Sequence, residues 1–182
     1  MSTSMQTISA ATTDKGRITT YKKFIKSACN STTYPKICYK ALSPNAPAIE
    51  TDPYKLCNVA LSVALNATYK ASSTIVSLSE MKGLSSSEKQ IIGLCAELTD
   101  YAIGDLKKSL KALANLQGSE YKAPEMSDLK TWVSGALTFD YTCTDELEGQ
   151  KVRKVVNNTI NKRVLYLAKL TSNCLALSKL LD

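Results

Sequence analysis

The chain has 182 residues, 44% of them hydrophobic and 21% charged, with a formal charge of +7, six cysteines and no histidine. This composition describes one globular domain, too apolar for a disordered chain and too sparse in cysteine for a knottin-like scaffold. The absent histidine removes the commonest neutral-pH general base and metal ligand, and no uninterrupted apolar run approaches the ~20 residues needed to cross a bilayer.

Residues 1–18 are polar and rich in Ser and Thr, which predicts a flexible tail. They hold no apolar h-region, so a secreted protein would present this chain as its mature form, without a signal peptide. Residues 19–182 read as a single domain, divided into an N-terminal hairpin (19–51) and a helical bundle (52–182). The hairpin consists of two short helical stretches split by Asn30-Ser31-Thr32-Thr33-Tyr34-Pro35, followed by breaks at Ser43-Pro44 and Ala46-Pro47.

Asp52-Pro53 opens the first bundle helix, with Asp as N-cap and Pro at the first helical position. Leu56, Ala60, Val63, Ala67, Ala71, Ile75, Leu78 and Met81 then recur every three or four residues until Gly83. Ser85-x-x-Glu88 forms a capping box for the second helix. Its stripe is Ile92, Cys95, Leu98, Ala102, Leu106, Leu110 and Leu113, ending near Gly118. A flexible link over 114–127 precedes the third helix, expected from about Ser127 and burying Leu129, Trp132, Ala136, Cys143 and Leu147. The fourth starts near Lys151 and turns Val152, Val156, Ile160, Leu167, Leu170, Cys174, Leu177 and Leu181 inward. No segment alternates as a strand would. The fold class is all-α: an up-down-up-down four-helix bundle with an N-terminal helical hairpin extension.

Charge is distributed unevenly. Residues 15–49 hold seven bases and no acid, and residues 149–181 hold seven more with no acid. Residues 88–148 carry eleven acids against six bases. A basic end beside an acidic middle points to two partners or to steering toward one. No nucleic-acid-binding module accompanies the bases, so no nucleic-acid partner is implied, and no membrane.

Two cysteine contexts carry the most specific signal. The first is Phe24-Ile25-Lys26-Ser27-Ala28-Cys29 with Thr33-Tyr34-Pro35-Lys36-Ile37-Cys38. The second is Leu94-Cys95-Ala96-Glu97, answered by Trp132-Val133-Ser134-Gly135-Ala136-Leu137-Thr138 and Tyr141-Thr142-Cys143-Thr144-Asp145. Over residues 21–181 the chain resembles the plant pectin methylesterase and invertase inhibitor family, secreted helical bundles that block cell-wall enzymes. That resemblance implies disulfides Cys29–Cys38 and Cys95–Cys143. Height in the bundle permits the second: Cys95 lies ~27 Å and Cys143 ~23 Å from the loop joining their helices. Cys57 and Cys174 stand where the family has small apolar residues. At heights differing by ~5 Å, they read either as a third disulfide or as two buried thiols.

The resemblance further implies a non-enzymatic protein that needs no cofactor or metal and inhibits by laying the outer faces of the second to fourth bundle helices across the esterase's pectin cleft. Glu97, Thr142 and Asp145 match family motif positions and are the expected enzyme-facing residues. The departures at Thr99, Tyr101 and Gly104 remove hydrogen-bond partners found in other members. The implied partner is a plant pectin methylesterase in a 1:1 complex. The alternatives are acid invertase as target, and a non-inhibitory module whose basic ends hold anionic pectin. The invertase branch often carries Pro-Lys-Phe before the third helix; here the loop reads Tyr121-Lys122-Ala123-Pro124-Glu125-Met126.

Catalytic motifs are missing. Neither a Gly-x-Ser-x-Gly elbow nor a phosphate-cradling glycine loop occurs. Asp140, Asp145, Glu146 and Glu148 crowd one helix end instead of opposing each other as a glycosidase pair would. Asn30, Asn66 and Asn157 begin N-glycosylation sequons, which suit a secreted, apoplastic protein.

Overall fold

The computed structural model describes the backbone of residues 3–182 and the side chains of residues 13–182. In chain order its helices are α1 (Thr3–Asn30), α2 (Pro35–Leu42), α3 (Ala46–Ile49), α4 (Pro53–Leu78), α5 (Ser86–Gly118), α6 (Ala123–Glu148) and α7 (Lys154–Leu177). A 3-10 turn at Ser43–Asn45 links α2 to α3, and another at Ser178–Leu181 closes the chain. No strand occurs among the described residues. α4 packs on α5, α5 on α6, α6 on α7, and α7 back on α4, a closed ring of four antiparallel neighbours.

Local chemistry sets the helix ends. The Asp52 carboxylate accepts the backbone N–H groups of Tyr54 and Lys55 at 2.7 and 3.2 Å, with Pro53 in the first turn. At α5, Ser85 Oγ accepts the Glu88 N–H at 3.1 Å while Glu88 Oε2 accepts the Ser85 N–H at 2.9 Å. The other Glu88 oxygen accepts both the backbone N–H and the Nε–H of Arg153, at 2.9 and 2.7 Å. One buried carboxylate therefore caps α5 and fastens the entrance of α7 to it. Its hydrogen bonds to Arg153 and Ser85 hold Glu88 down at about 2.

Several boundaries differ from expectation. α4 stops at Leu78, five residues before Gly83, and the Ser77 and Ser79 hydroxyls bond back to Thr74 and Val76 carbonyls there. α6 begins at Ala123 instead of Ser127, because Pro124 is well accommodated in a first turn. The link expected over 114–127 is thereby reduced to residues 119–122. Trp132 is half-buried at a helix seam instead of lying in the core. The expected tail over residues 1–18 is helical from Thr3 onward; residues 1 and 2 lie outside the described residues. Backbone hydrogen bonding and local contacts hold this arm: the Thr19 and Thr20 hydroxyls donate to the Lys15 and Gly16 carbonyls, and Arg17 pairs with Asp14 at 2.7 Å. Among the described side chains, core contact begins at Tyr21, Phe24 and Ile25.

The core has two parts. The upper one gathers Ile75, Ile91, Ile92, Cys95, Cys143, Leu147, Val156 and Ile160. The lower one joins the hairpin to the bundle through Ile25, Cys29, Cys38, Leu42, Ile49, Leu56, Leu61, Leu106, Leu116, Leu129 and Leu177. α2 docks on α7 through Asn173, a buried amide whose Nδ2 donates to the Tyr34 carbonyl and whose Oδ1 accepts the Tyr34 N–H, both at 3.1 Å. The chain from Lys154 to Leu181 is long and apolar enough to cross a membrane, but Val156, Ile160, Val164, Leu167, Leu170 and Leu177 are buried within the bundle.

Candidate functional site: the outer α5–α6 seam

Cys95 and Cys143 are bonded across the α5–α6 seam, with Cα atoms 5.1 Å apart, and Cys29 and Cys38 are bonded between α1 and α2. The helical repeat then turns the residues two beyond each bridge cysteine outward. Glu97 and Asp145 are both exposed, ~3 Å along their axes from the bridge in opposite directions. Thr142 is half-buried beside them and donates its hydroxyl to the Thr138 carbonyl of its own helix at 2.8 Å.

Below the bridge an aromatic ladder crosses the seam. The Tyr101 hydroxyl donates to Glu97 Oε1 at 2.5 Å, which raises the phenol's ionisation above its usual range. The Tyr101 ring lies 5.5 Å from that of Phe139. One level lower, the Lys108 ammonium sits 4.0 Å from the centre of the Trp132 ring and 3.3 Å from Asp105 Oδ1. Gly135 suits this level: a Cβ there would collide with the Asp105 carboxylate, so a larger residue would have to displace that side chain.

The acids divide into two kinds. Asp145, Glu146 and Glu148 are exposed in the last turns of α6, with no basic residue there, where negative charge opposes the helix dipole. Asp140, which the sequence groups with them, is 2% exposed and faces α7. Its Oδ2 accepts the Thr171 hydroxyl at 3.3 Å, its Oδ1 has no partner, and burial pushes the carboxyl up to about 8. It belongs to the interior.

Cys57 and Cys174 are buried free thiols, and burial pushes both ionisations up, that of Cys57 to about 12. Among the sequons, Asn30 is exposed at the end of α1 and Asn66 is exposed on α4. Asn157 is half-buried and accepts a hydrogen bond from Asn161 at 2.9 Å. Thr99 is buried and bonds to its own helix carbonyls, so it offers no surface partner. Sequence reading missed the Tyr101–Phe139 and Lys108–Trp132 contacts. The trace of the first in the sequence is one aromatic on each helix, about six residues after Cys95 and about four before Cys143; the second, between a lysine and a tryptophan, leaves no such pattern.

A small helical bundle with two disulfides and an acidic, aromatic outer seam belongs to a recognisable class of protein modules. The family model for plant invertase/pectin methylesterase inhibitors matches residues 23–177, and this chain belongs to that family. It is 34% identical over 158 residues to the 21 kDa protein of Daucus carota, covering 85% of this chain and 81% of that one. It is also 34% identical over 169 residues to pectinesterase inhibitor 4 of Arabidopsis thaliana, covering 92% and 85%. A crystal structure of a mutant form of a pectin methylesterase inhibitor from Arabidopsis superposes with a TM-score of 0.66, at 21% identity, over 85% of this chain and 94% of that one. At that identity the superposition speaks for the fold.

Proposed function

We propose that this protein is a secreted, non-enzymatic inhibitor of plant pectin methylesterase, forming a 1:1 complex in which the outer α5–α6 seam covers the enzyme's pectin-binding cleft. One observation carries the assignment of the face. Asp145, Glu146 and Glu148 stand where they weaken α6, on the same seam as an exposed tyrosine that is paired with Glu97 on the other side of the bridge. Local rules broken on a surface, without a compensating contact inside the molecule, mark a contact made outside it. Several relatives named pectinesterase inhibitors, including the one 34% identical over 169 residues, support the choice of enzyme.

The mechanism is occlusion. Tyr101 supplies a rigid, amphipathic contact and Glu97 keeps its hydroxyl directed along the seam. Glu97 and Asp145 meet basic groups on the enzyme, which speeds encounter and sets register more than it adds affinity. The disulfide behind them stops α5 and α6 from sliding, so the face is presented in one register.

The deciding assay adds the oxidised protein to a plant pectin methylesterase and to an acid invertase and measures both activities. Loss of esterase activity at one equivalent of protein, with invertase unaffected, is the expected result. Inhibition of invertase alone reverses the choice of target, and inhibition of neither removes the inhibitory reading.

A further inference from the structure

The α4–α7 seam lies opposite the α5–α6 seam, and its chemistry is different. α4 from Pro53 to Leu78 and α7 from Lys154 to Leu177 contain no acidic residue, while they carry six bases between them. The hairpin covers only the lower part of this seam: Cys38, Ala41 and Leu42 close over Ala60, Val63, Leu170 and Cys174. Above Val63 the seam is open. Two adjoining depressions of about 420 and 430 Å³ run along it, and they share Lys70 and Arg163. From Val63 to Thr74 the groove extends ~16 Å along the helix axis.

Its lining combines three kinds of group. Lys70 and Arg163 are exposed cations, one on each wall. Tyr69 and Tyr166 are 43% and 45% exposed, high values for rings that could have been turned inward. Asn66 and Ser73 supply an amide and a hydroxyl. Lys107 of α5 stands 5.5 Å from the Tyr69 ring and adds a third positive charge at the rim.

We propose that this groove binds an acidic polysaccharide, specifically a de-esterified uronate chain of the pectate type. Its carboxylates pair with Lys70 and Arg163, its pyranose faces lie against Tyr69 and Tyr166, and its hydroxyls meet Asn66 and Ser73. The groove is long, shallow and open, as a linear chain requires. The matching of cations with aromatic faces and short polar groups favours a charged sugar over an acyclic headgroup such as phosphatidylserine, which would bring no ring face to the tyrosines. A methyl-esterified chain has the same shape without the charge and is the natural discriminating ligand. A glycan on Asn66 would fill the same space, so the bound form is the one with that sequon unmodified. This inference is independent of esterase inhibition, because it uses the opposite face of the bundle.

The test measures binding of the full chain, its Asn66 shown by mass to be unmodified, to decagalacturonate at low salt. The fully methyl-esterified decamer, heparin and phosphatidylserine vesicles are measured in parallel. Binding to the free-acid decamer alone is expected, weakening as salt rises. Lys70→Gln with Arg163→Gln should weaken it about tenfold, and Tyr166→Ala severalfold at unchanged salt dependence. Lys22→Gln with Lys26→Gln on α1 should leave it unchanged, and all variants should melt as the parent does, since these side chains are exposed. No binding by the parent chain overturns the proposal. So does equal binding of the methyl-esterified decamer, equal binding of heparin or vesicles, or equal weakening by the α1 pair. Esterase inhibition, assayed on the same preparations, should be unaffected by the groove variants; its absence in the parent chain would refute the inhibitory reading and leave the groove result standing.

Discussion

Asp140 is the residue at which this molecule conflicts most with simple burial rules. Its carboxyl lies between α6 and α7 with Thr171 as its one partner, and desolvation raises it from 3.8 to about 8. The folded state therefore holds this proton more tightly than the unfolded chain does. The stability tied to it is complete below about pH 4 and is lost as pH rises through about 8. Asp140→Asn should flatten that decline and leave the protein more stable at pH 8 than its parent, as chemical unfolding across pH will read. A parallel pair of pH curves would show that Asp140 does not titrate in this range. Glu88 acts with the opposite sign. Its hydrogen bonds to Arg153 and Ser85 lower it from 4.5 to about 2, so the stability it contributes is present above pH 4.5 and lost as pH falls through about 2. Glu88→Gln keeps the shape and should remove that acid-limb loss while lowering the melting temperature at pH 7. An unaltered melt at neutral pH would deny the carboxylate its double capping role.

Among elements, α5 and α6 form the most closely tied pair, and the tie is covalent as well as steric. Their disulfide spans 48 residues of sequence, and the chain-entropy relation assigns such a loop about 4 kcal/mol. Reduction of Cys95–Cys143 should lower the melting temperature on the order of 10 °C in a domain of this size. Thiol counting that confirms reduction, with an unchanged melt, would show that packing alone holds the pair. At Gly135 the requirement is space, since φ there is ordinary and the Asp105 carboxylate would have to move aside for a Cβ. α1 presents the contrasting case. Just before Tyr21 it is held by local hydrogen bonds of Thr19 and Thr20, and among the described side chains the core begins where Tyr21, Phe24 and Ile25 reach the bundle.

Across the whole molecule the ring order of the helices sorts charge. α6 holds six acids against Lys130, α5 is balanced, and α4 and α7 hold no acid, so the two seams face opposite ways with opposite character. A basic enzyme should approach the α5–α6 side, by a process that salt slows. Glu97→Lys with Asp145→Lys should weaken inhibition of a basic esterase about tenfold, chiefly through a slower association rate, with melting unchanged because both are exposed. Lys154→Glu with Lys162→Glu on α7 is the matched control and should change inhibition by less than about twofold. A silent α5–α6 pair beside a damaging α7 pair would place the enzyme on the other side of the bundle.

The apolar period of three and four, the Asp52-Pro53 start and the Ser85-x-x-Glu88 box were enough to identify four long helices and their antiparallel connection. Those signals are local, since capping and amphipathic spacing act within one or two turns. Other features depended on which helix lies beside which, and no local pattern encodes that. Trp132 reads as a core residue but lies at a seam under Lys108; Asp140 reads as one of a surface cluster but lies inside. Asn173 reads as an ordinary polar position but clamps the hairpin through Tyr34, 139 residues away. Net charge was visible in the sequence as basic ends and an acidic middle. Its division into two opposed faces came only with the closed ring, because residues far apart in the chain share a surface only once four helices have packed around a common core.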